Sequence, residues 1–127
     1  MLIQIDNASD RAVYQQIIDH IKRDIALGRL KMAEKLPTVR ELASLLVINP
    51  NTIAKAYRQL EQEGIITTRP GSGAFVAQID CNLDKAVRQR LICRQLEHVV
   101  VDAVHMRIDK KTMVDWFNKT LENFNFK

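Results

Sequence analysis

Cysteine is scarce in this chain of 127 residues, and the two present, Cys81 and Cys93, form neither a CxxC pair nor a His–Cys cluster with metal-ligand spacing. That excludes a disulfide framework and a zinc motif, and leaves two free thiols suited to a reducing compartment. A redox or metal sensor would need both thiols to face one site. Long apolar runs are also missing, with nothing near the ~20 residues of a membrane span. Met1 to Asn7 alternates Leu2, Ile3 and Ile5 with polar residues and shows no signal-peptide pattern. Catalytic constellations are lacking too. There is no Ser/His/Asp or Cys/His order with supporting context, no carboxylate pair in a glycine-framed loop and no phosphate loop, and Gly71-Ser72-Gly73 follows a strand-like run without opening a helix. The expected setting is the cytoplasm, with no enzymatic activity, cofactor, metal or membrane partner.

Charge of one sign does not dominate either. The net charge is +4, and it is evenly spread, with ten basic against eight acidic residues over 1–79 and nine against seven over 80–127. Such a balance is compatible with a polyanionic partner, but only the placement of individual cations can locate a binding surface.

The informative stretch is 36–76, where LPTVRELA, INPNTIAKAYRQLEQEG and IITTRPGSGAFV follow one another. Thr38 and Glu41 stand three apart, so hydroxyl and carboxylate can cap a helix reciprocally, and a helix is predicted from about Val39. Val39, Leu42, Ala43 and Leu46 would face inward, with Arg40, Glu41 and Ser44 outside. Asn49 is the expected cap of a second helix, Pro50 its first residue and Gly64 its C-terminal stop. Ile53, Ala56, Tyr57 and Leu60 fall on the inner face of that helix, leaving Asn51, Thr52, Lys55, Arg58 and Gln59 outside. Only Val47 and Ile48, with the Asn49 cap, join the two, which is the short link of a helix-turn-helix. Ile65 to Arg69 and Ala74 to Gln78 read as strands around a Pro70-Gly71-Ser72-Gly73 turn, a hairpin wing. Upstream, Val13, Ile17, Ile18, Ile21 and Ile25 form a helical stripe between Ser9-Asp10 and Gly28, predicting a core helix behind the pair. Tyr14 and His20 on it read as packing or surface residues.

An outer face of Asn, Thr, Lys, Arg and Gln suits a DNA groove, because amides and guanidinium pair with base edges while ammonium groups neutralise phosphate. A solvated face has much the same composition. The flanking wing decides the reading, with Arg69 at its tip and glycines that let backbone approach a sugar-phosphate wall.

Residues 11–77 resemble the DNA-binding domain of the GntR family of bacterial transcription regulators. The ordered set that carries the resemblance is Tyr14 with Gln16 and Ile17, Gly28 with Leu30, Leu36 through Ala43, Ala56-Tyr57 with Leu60-Glu61, Glu63-Gly64, and Gly71 with Gly73, Phe75 and Val76. Asn49-Pro50-Asn51-Thr52 followed by Ala54-Lys55-Ala56-Tyr57 is similar to the short-tailed, YtrA-like branch. The chain departs from the family at Met32-Ala33, where Pro-Gly is common, at Thr38 in place of Ser and at Ala74 in place of Thr. The resemblance implies DNA contacts from Arg40, Asn49, Pro50, Asn51, Thr52 and Gly71. Physical argument adds Lys55, Arg58 and Arg69, and Thr38 and Ser72 complete the expected set.

Beyond the wing, Leu83, Val87, Leu91, Leu96, Val99, Val100, Ala103 and Val104 continue a helical pattern. Asp109 is the expected cap of a further helix in which Met113, Trp116, Phe117, Leu121 and Phe124 make a heavy apolar stripe. The roughly 50 residues after the wing are few for an independent core. These faces are therefore expected to pack against the same helices of a second chain, in a two-fold homodimer, rather than back onto the reader domain. The expected interface is Leu91, Leu96, Val99, Val100, Ala103, Met113, Trp116, Phe117, Leu121 and Phe124.

The expected organisation is thus mainly α with a small β-hairpin: a lead over 1–10, a winged helix-turn-helix over 11–79 and a two-helix dimerisation tail over 80–127. The expected partners are a double-stranded DNA operator in the form of an inverted repeat and a second copy of the chain. The resemblance further implies a repressor, often of ABC transporter genes. A small effector would have to use a cleft beside the tail or the dimer interface, where His98 and His105, seven apart, could contribute. The alternative is a winged helix that binds protein, which would call for an apolar outer face on the second motif helix.

Overall fold

The computed structural model describes residues 3–78, 84–124 and 126. It comprises two compact units, Met1–Ile79 and Asp80–Phe126. The first holds α1 (Val13–Ala26), α2 (Val39–Leu46), α3 (Pro50–Gln62), β1 (Ile66–Arg69) and β2 (Gly73–Val76), and the second holds α4 (Lys85–His105) and α5 (Lys110–Glu122).

The signals at the motif helices act as their chemistry requires. The Thr38 hydroxyl accepts from the Glu41 N–H at 3.1 Å and the Glu41 carboxylate accepts from the Thr38 N–H at 3.4 Å, the reciprocal cap. The Asn49 carboxamide oxygen accepts from the Asn51 N–H at 2.9 Å, and Pro50 opens α3. Between the helices Val47 turns left-handed (φ 55), so that its N–H and that of Ile48 both reach the Ala43 carbonyl and close the connection. Ile17, Ile18 and Ile21 of α1, Leu42 of α2 and Ile53, Ala56 and Leu60 of α3 are almost wholly buried together. Tyr57 completes this inner face, its hydroxyl donating to the Pro37 carbonyl at 2.7 Å and so tying α3 to the loop before α2. Burial, reinforced by the nearby Glu41 carboxylate, pushes its phenol well above the ordinary range.

Ser9 and Asp10 do not cap α1. Its N-cap is Ala12 without a side-chain bond, and the Ser9 hydroxyl accepts from the Arg11 N–H instead. Gln16 holds the preceding chain, accepting from the Asp6 N–H and donating to the Asp6 and Arg11 carbonyls, and Ile3 is buried in the core. The lead is therefore a packed part of the first unit.

The wing pairs antiparallel, Ile66 with Val76 through Arg69 with Gly73. Pro70 and Gly71 (φ +77) occupy the middle of a turn closed by the Ser72 N–H on the Arg69 carbonyl, where only the second position needs a residue free to adopt positive φ. A third extended segment, without sequence signal, lies along β2: Lys35 bridges Phe75, the Leu36 N–H donates to the Ala74 carbonyl and the Val76 N–H to the Glu34 carbonyl. The wing is also fastened to α3, because the Glu61 carboxylate accepts from the Thr68 N–H at 3.0 Å.

In the second unit α4 begins at Lys85, while Leu83 and Cys81 lie outside the described residues. Asp109 caps α5, and the bonds it accepts from the Thr112 hydroxyl and then the Thr112 N–H hold its carboxyl below the ordinary range. The apolar stripe of α5 is shorter than the sequence pattern implies. The helix ends at Glu122 with Asn123 as its C-cap, so Phe124 stands past the last turn rather than on the helix face. The helices α4 and α5 do not pack side by side, and Ala103 is the one buried residue among those described in this unit.

Ala33 has φ +66, a left-handed conformation that glycine adopts without a Cβ penalty. Glycine there relieves a conformation that costs an L-residue about 1–2 kcal/mol, partly offset by the greater freedom of glycine in the unfolded chain. Ala33→Gly is expected to raise unfolding stability by about 1 kcal/mol in a denaturant titration, with an unchanged m-value.

Candidate nucleic-acid interface

The cap and core contacts of α3 turn Asn51, Lys55 and Arg58 outward along one exposed stripe, with Thr52 half-buried at its margin. Asn49 is exposed; its side-chain oxygen is committed to the cap, while its amide donors have no partner among the described residues. Thr38 is likewise committed, its hydroxyl holding the start of α2. The structure thus gives Thr38 and Asn49 a definite local task, separate from any contact with a ligand.

Arg40 projects from the first turn of α2, exposed, and pairs with neither Glu41 nor Glu34 among the described residues. A cation at a helix N-terminus is disfavoured by the macrodipole, so the position is not explained by helix stability. With Ser44, Val47 and Pro50 it lines an open concavity of about 710 Å³ along α2 and its turn into α3. A second cleft of about 320 Å³ lies between α3 and the wing, lined by Thr38, Ala54, Arg58, Thr68 and Gly73. Pro50 at the start of α3 borders the first of these, and Arg58 of its outer stripe borders the second.

The cations of α3 diverge. Arg58 borders the wing cleft, whereas the Lys55 ammonium sits 3.9 Å from the centre of the Tyr14 ring on α1. In the wing the Arg69 guanidinium lies over the Phe75 ring at 4.6 Å, and Gly71 and Ser72 are exposed at the turn. Gly73 is favoured by its φ of +109, which L side chains rarely adopt; a Cβ there would also stand 3.3 Å from the Lys35 Cε, at the movable end of that side chain. The contacts that sequence reasoning missed are those crossing between elements: Tyr14 to Lys55, Glu61 to Thr68, and the Lys22–Glu63 ion pair of 2.7 Å that pins the end of α3 to α1. The Lys22 hydrogen bond holds the Glu63 carboxyl below its ordinary value, so this contribution is present at neutral pH and fades as acid protonates it. Asp24 on α1 is buried beside His20 and Arg29, a position that carried no signal in the sequence.

Residues 13–76 match the family described as bacterial regulatory proteins, gntR family. This chain belongs to the GntR family. It is similar to the HTH-type transcriptional repressor YtrA of Bacillus subtilis, 36% identical over 118 residues that cover 93% of this chain and 91% of that protein. Among solved structures, a transcriptional antiterminator from Listeria monocytogenes is 26% identical with a TM-score of 0.84, covering all of this chain and 96% of that one. The AraR DNA-binding domain in complex with operator ORX1 is 29% identical with a TM-score of 0.53, covering 58% of this chain and 92% of that one. The chain is accordingly a GntR-type DNA-binding transcription regulator with a mainly helical winged fold, akin to regulators and not to enzymes. Among the described residues no helix is long and apolar enough to cross a membrane.

Arg40→Ala is expected to weaken duplex DNA binding by about 1–3 kcal/mol. Its melting temperature should stay that of the parent, because Arg40 supports no described contact; an unchanged affinity in anisotropy titrations would remove it from the interface.

Proposed function

We propose that this GntR regulator is a homodimeric repressor that reads an inverted-repeat operator. The observation that carries the reading is the exposed polar and cationic stripe Asn51, Lys55 and Arg58 on α3, whose Arg58 borders the cleft beside the wing. In it Asn49, Asn51 and Thr52 at the start of α3 address base edges, with Pro50 approaching the backbone closely. Arg40, Lys55, Arg58 and Arg69 meet phosphates, and Gly71 and Ser72 bring the wing backbone to the neighbouring groove wall. Thr38 contributes through its cap and its place in the wing cleft.

The second copy is argued from the tail. Leu91, Ile92, Val99 and Val100 on α4 and Trp116 and Phe117 on α5 are each about half exposed, Leu96 slightly less, and Met113, Leu121 and Phe124 are partly covered. Two helices that do not cover each other leave an apolar surface larger than a soluble monomer ordinarily presents. Joining two such tails buries it and relates two α3 helices by a two-fold axis, which an inverted repeat matches. Ala103, already buried within the chain, would help to shape this surface instead of adding to it.

Repression follows the name of the B. subtilis relative, and ABC transporter genes follow the resemblance to its branch. Under this reading the protein works in the cytoplasm, and a small effector would bind at the tail, where His98 and His105 are both exposed on α4. The protein-binding alternative would want an apolar outer face on α3, and that stripe is polar and cationic.

Sedimentation should show a dimer at micromolar concentration, and Trp116→Glu with Phe117→Glu should yield a folded monomer with weakened DNA binding; a parent monomer at all concentrations would contradict the tail assignment. Selection from random duplexes should enrich an inverted repeat bound by two chains with a steep salt dependence. Enrichment of a single asymmetric site would contradict it.

A further inference from the structure

Lys55 sits on the outer stripe of α3, yet its ammonium is drawn to the margin next to α1 and held 3.9 Å from the centre of the Tyr14 ring. The nature of that hold matters. A carboxylate would fix the lysine and cancel its charge, whereas a π face attracts the ammonium through its quadrupole and leaves the full positive charge in place. Lys55 has no carboxylate partner among the described residues. Asp19, on the same helix as Tyr14, is committed to Arg11 at 2.6 Å and to Gln15 at 3.0 Å. Tyr14 itself is half-buried and packed against the core, so its ring is a fixed support. The wing repeats the arrangement, with Arg69 over Phe75 at 4.6 Å.

A free lysine on a groove-facing helix would lose much rotamer freedom on binding, and it could wander to base edges as readily as to phosphates. A lysine already parked at the helix margin has paid part of that cost and points toward the wall of the groove. We propose that Tyr14 is a positioning residue for DNA binding, holding Lys55 as a dedicated phosphate contact on the α1 side and keeping it out of base reading. This rests on the DNA-facing role assigned above to the outer stripe of α3.

The test is the salt dependence of binding to the duplex recovered by selection, or to a random-sequence duplex if none is enriched, for the full-length parent and four variants. Lys55→Ala should lower the log–log salt slope by about 0.9, the loss of one phosphate contact, without changing base preference. Tyr14→Leu should lower it by the same amount, Tyr14→Phe should keep the parent slope, and Tyr14→Leu combined with Lys55→Ala should lose no more than either alone. Should Tyr14→Leu fail to melt cooperatively, Tyr14→Met retains bulk without a π face and serves in its place. A parent slope in the Leu or Met variant overturns the positioning role. A loss in Tyr14→Phe equal to that in Tyr14→Leu overturns it too, since the hydroxyl would then be touching DNA directly. A Lys55→Ala variant with unchanged slope but altered base preference assigns Lys55 to base reading and also overturns it. Failure of the parent to bind any duplex would instead sink the underlying DNA-reading assignment.

Discussion

Burial of one face of α3 is the constraint on which the rest of the first unit depends. Ile53, Ala56 and Leu60 are inaccessible to solvent and Tyr57 nearly so, packed on the α1 isoleucines and Leu42. With the helical repeat fixed, the inner face determines the outer one, and Asn51, Lys55 and Arg58 are displayed as a rigid set. Every other feature of the unit steadies this helix. Asn49 caps its start, Lys22 holds Glu63 at its end, Tyr57 anchors it to Pro37, and Glu61 ties the wing to its flank. Misplacement of a reading helix by a fraction of an ångström is costly in recognition, so stability and function are here secured by the same contacts.

The second unit follows an opposite logic. Its helices are well capped, Asp109 by a carboxylate–amide bond, yet they bury almost nothing of their own among the described residues. Local signals suffice to make helices and do not suffice to make a core. A segment of this size with Trp116 and Phe117 half exposed is incomplete as a folding unit, and in the homodimer proposed above an identical segment would complete it and couple assembly of the tail to placement of two reader units.

Much of this was legible in the sequence because it rested on short-range chemistry. The Thr38–Glu41 box, the Asn49-Pro50 start and the Gly71 turn each involve residues within four positions of one another, and each is seen as expected. The inner faces of α1, α2 and α3 followed from helical period. What escaped depended on contacts between elements distant in sequence: the strand-like Lys35 segment along β2, the Tyr14 support under Lys55, and the Glu61 bond to Thr68. α1 does begin just after Ser9 and Asp10, but neither caps it, and the chain before the helix is held instead by Gln16, which reaches back ten residues to Asp6. Among the site residues, sequence could name Arg40, Lys55, Arg58 and Arg69 as cations but could not say that they occupy different margins of one surface.

In the proposed function α2, α3 and the wing present one continuous DNA-reading surface. This is best checked through backbone amide chemical shifts of the isotopically labelled protein, followed as a specific duplex is added. Changes should concentrate at Arg40, at Asn49 and Asn51 through Arg58, and at Arg69, Gly71 and Ser72, with those of the α1 isoleucines small. Shifts centred on α4 and α5, with the α3 stripe unmoved, would contradict it.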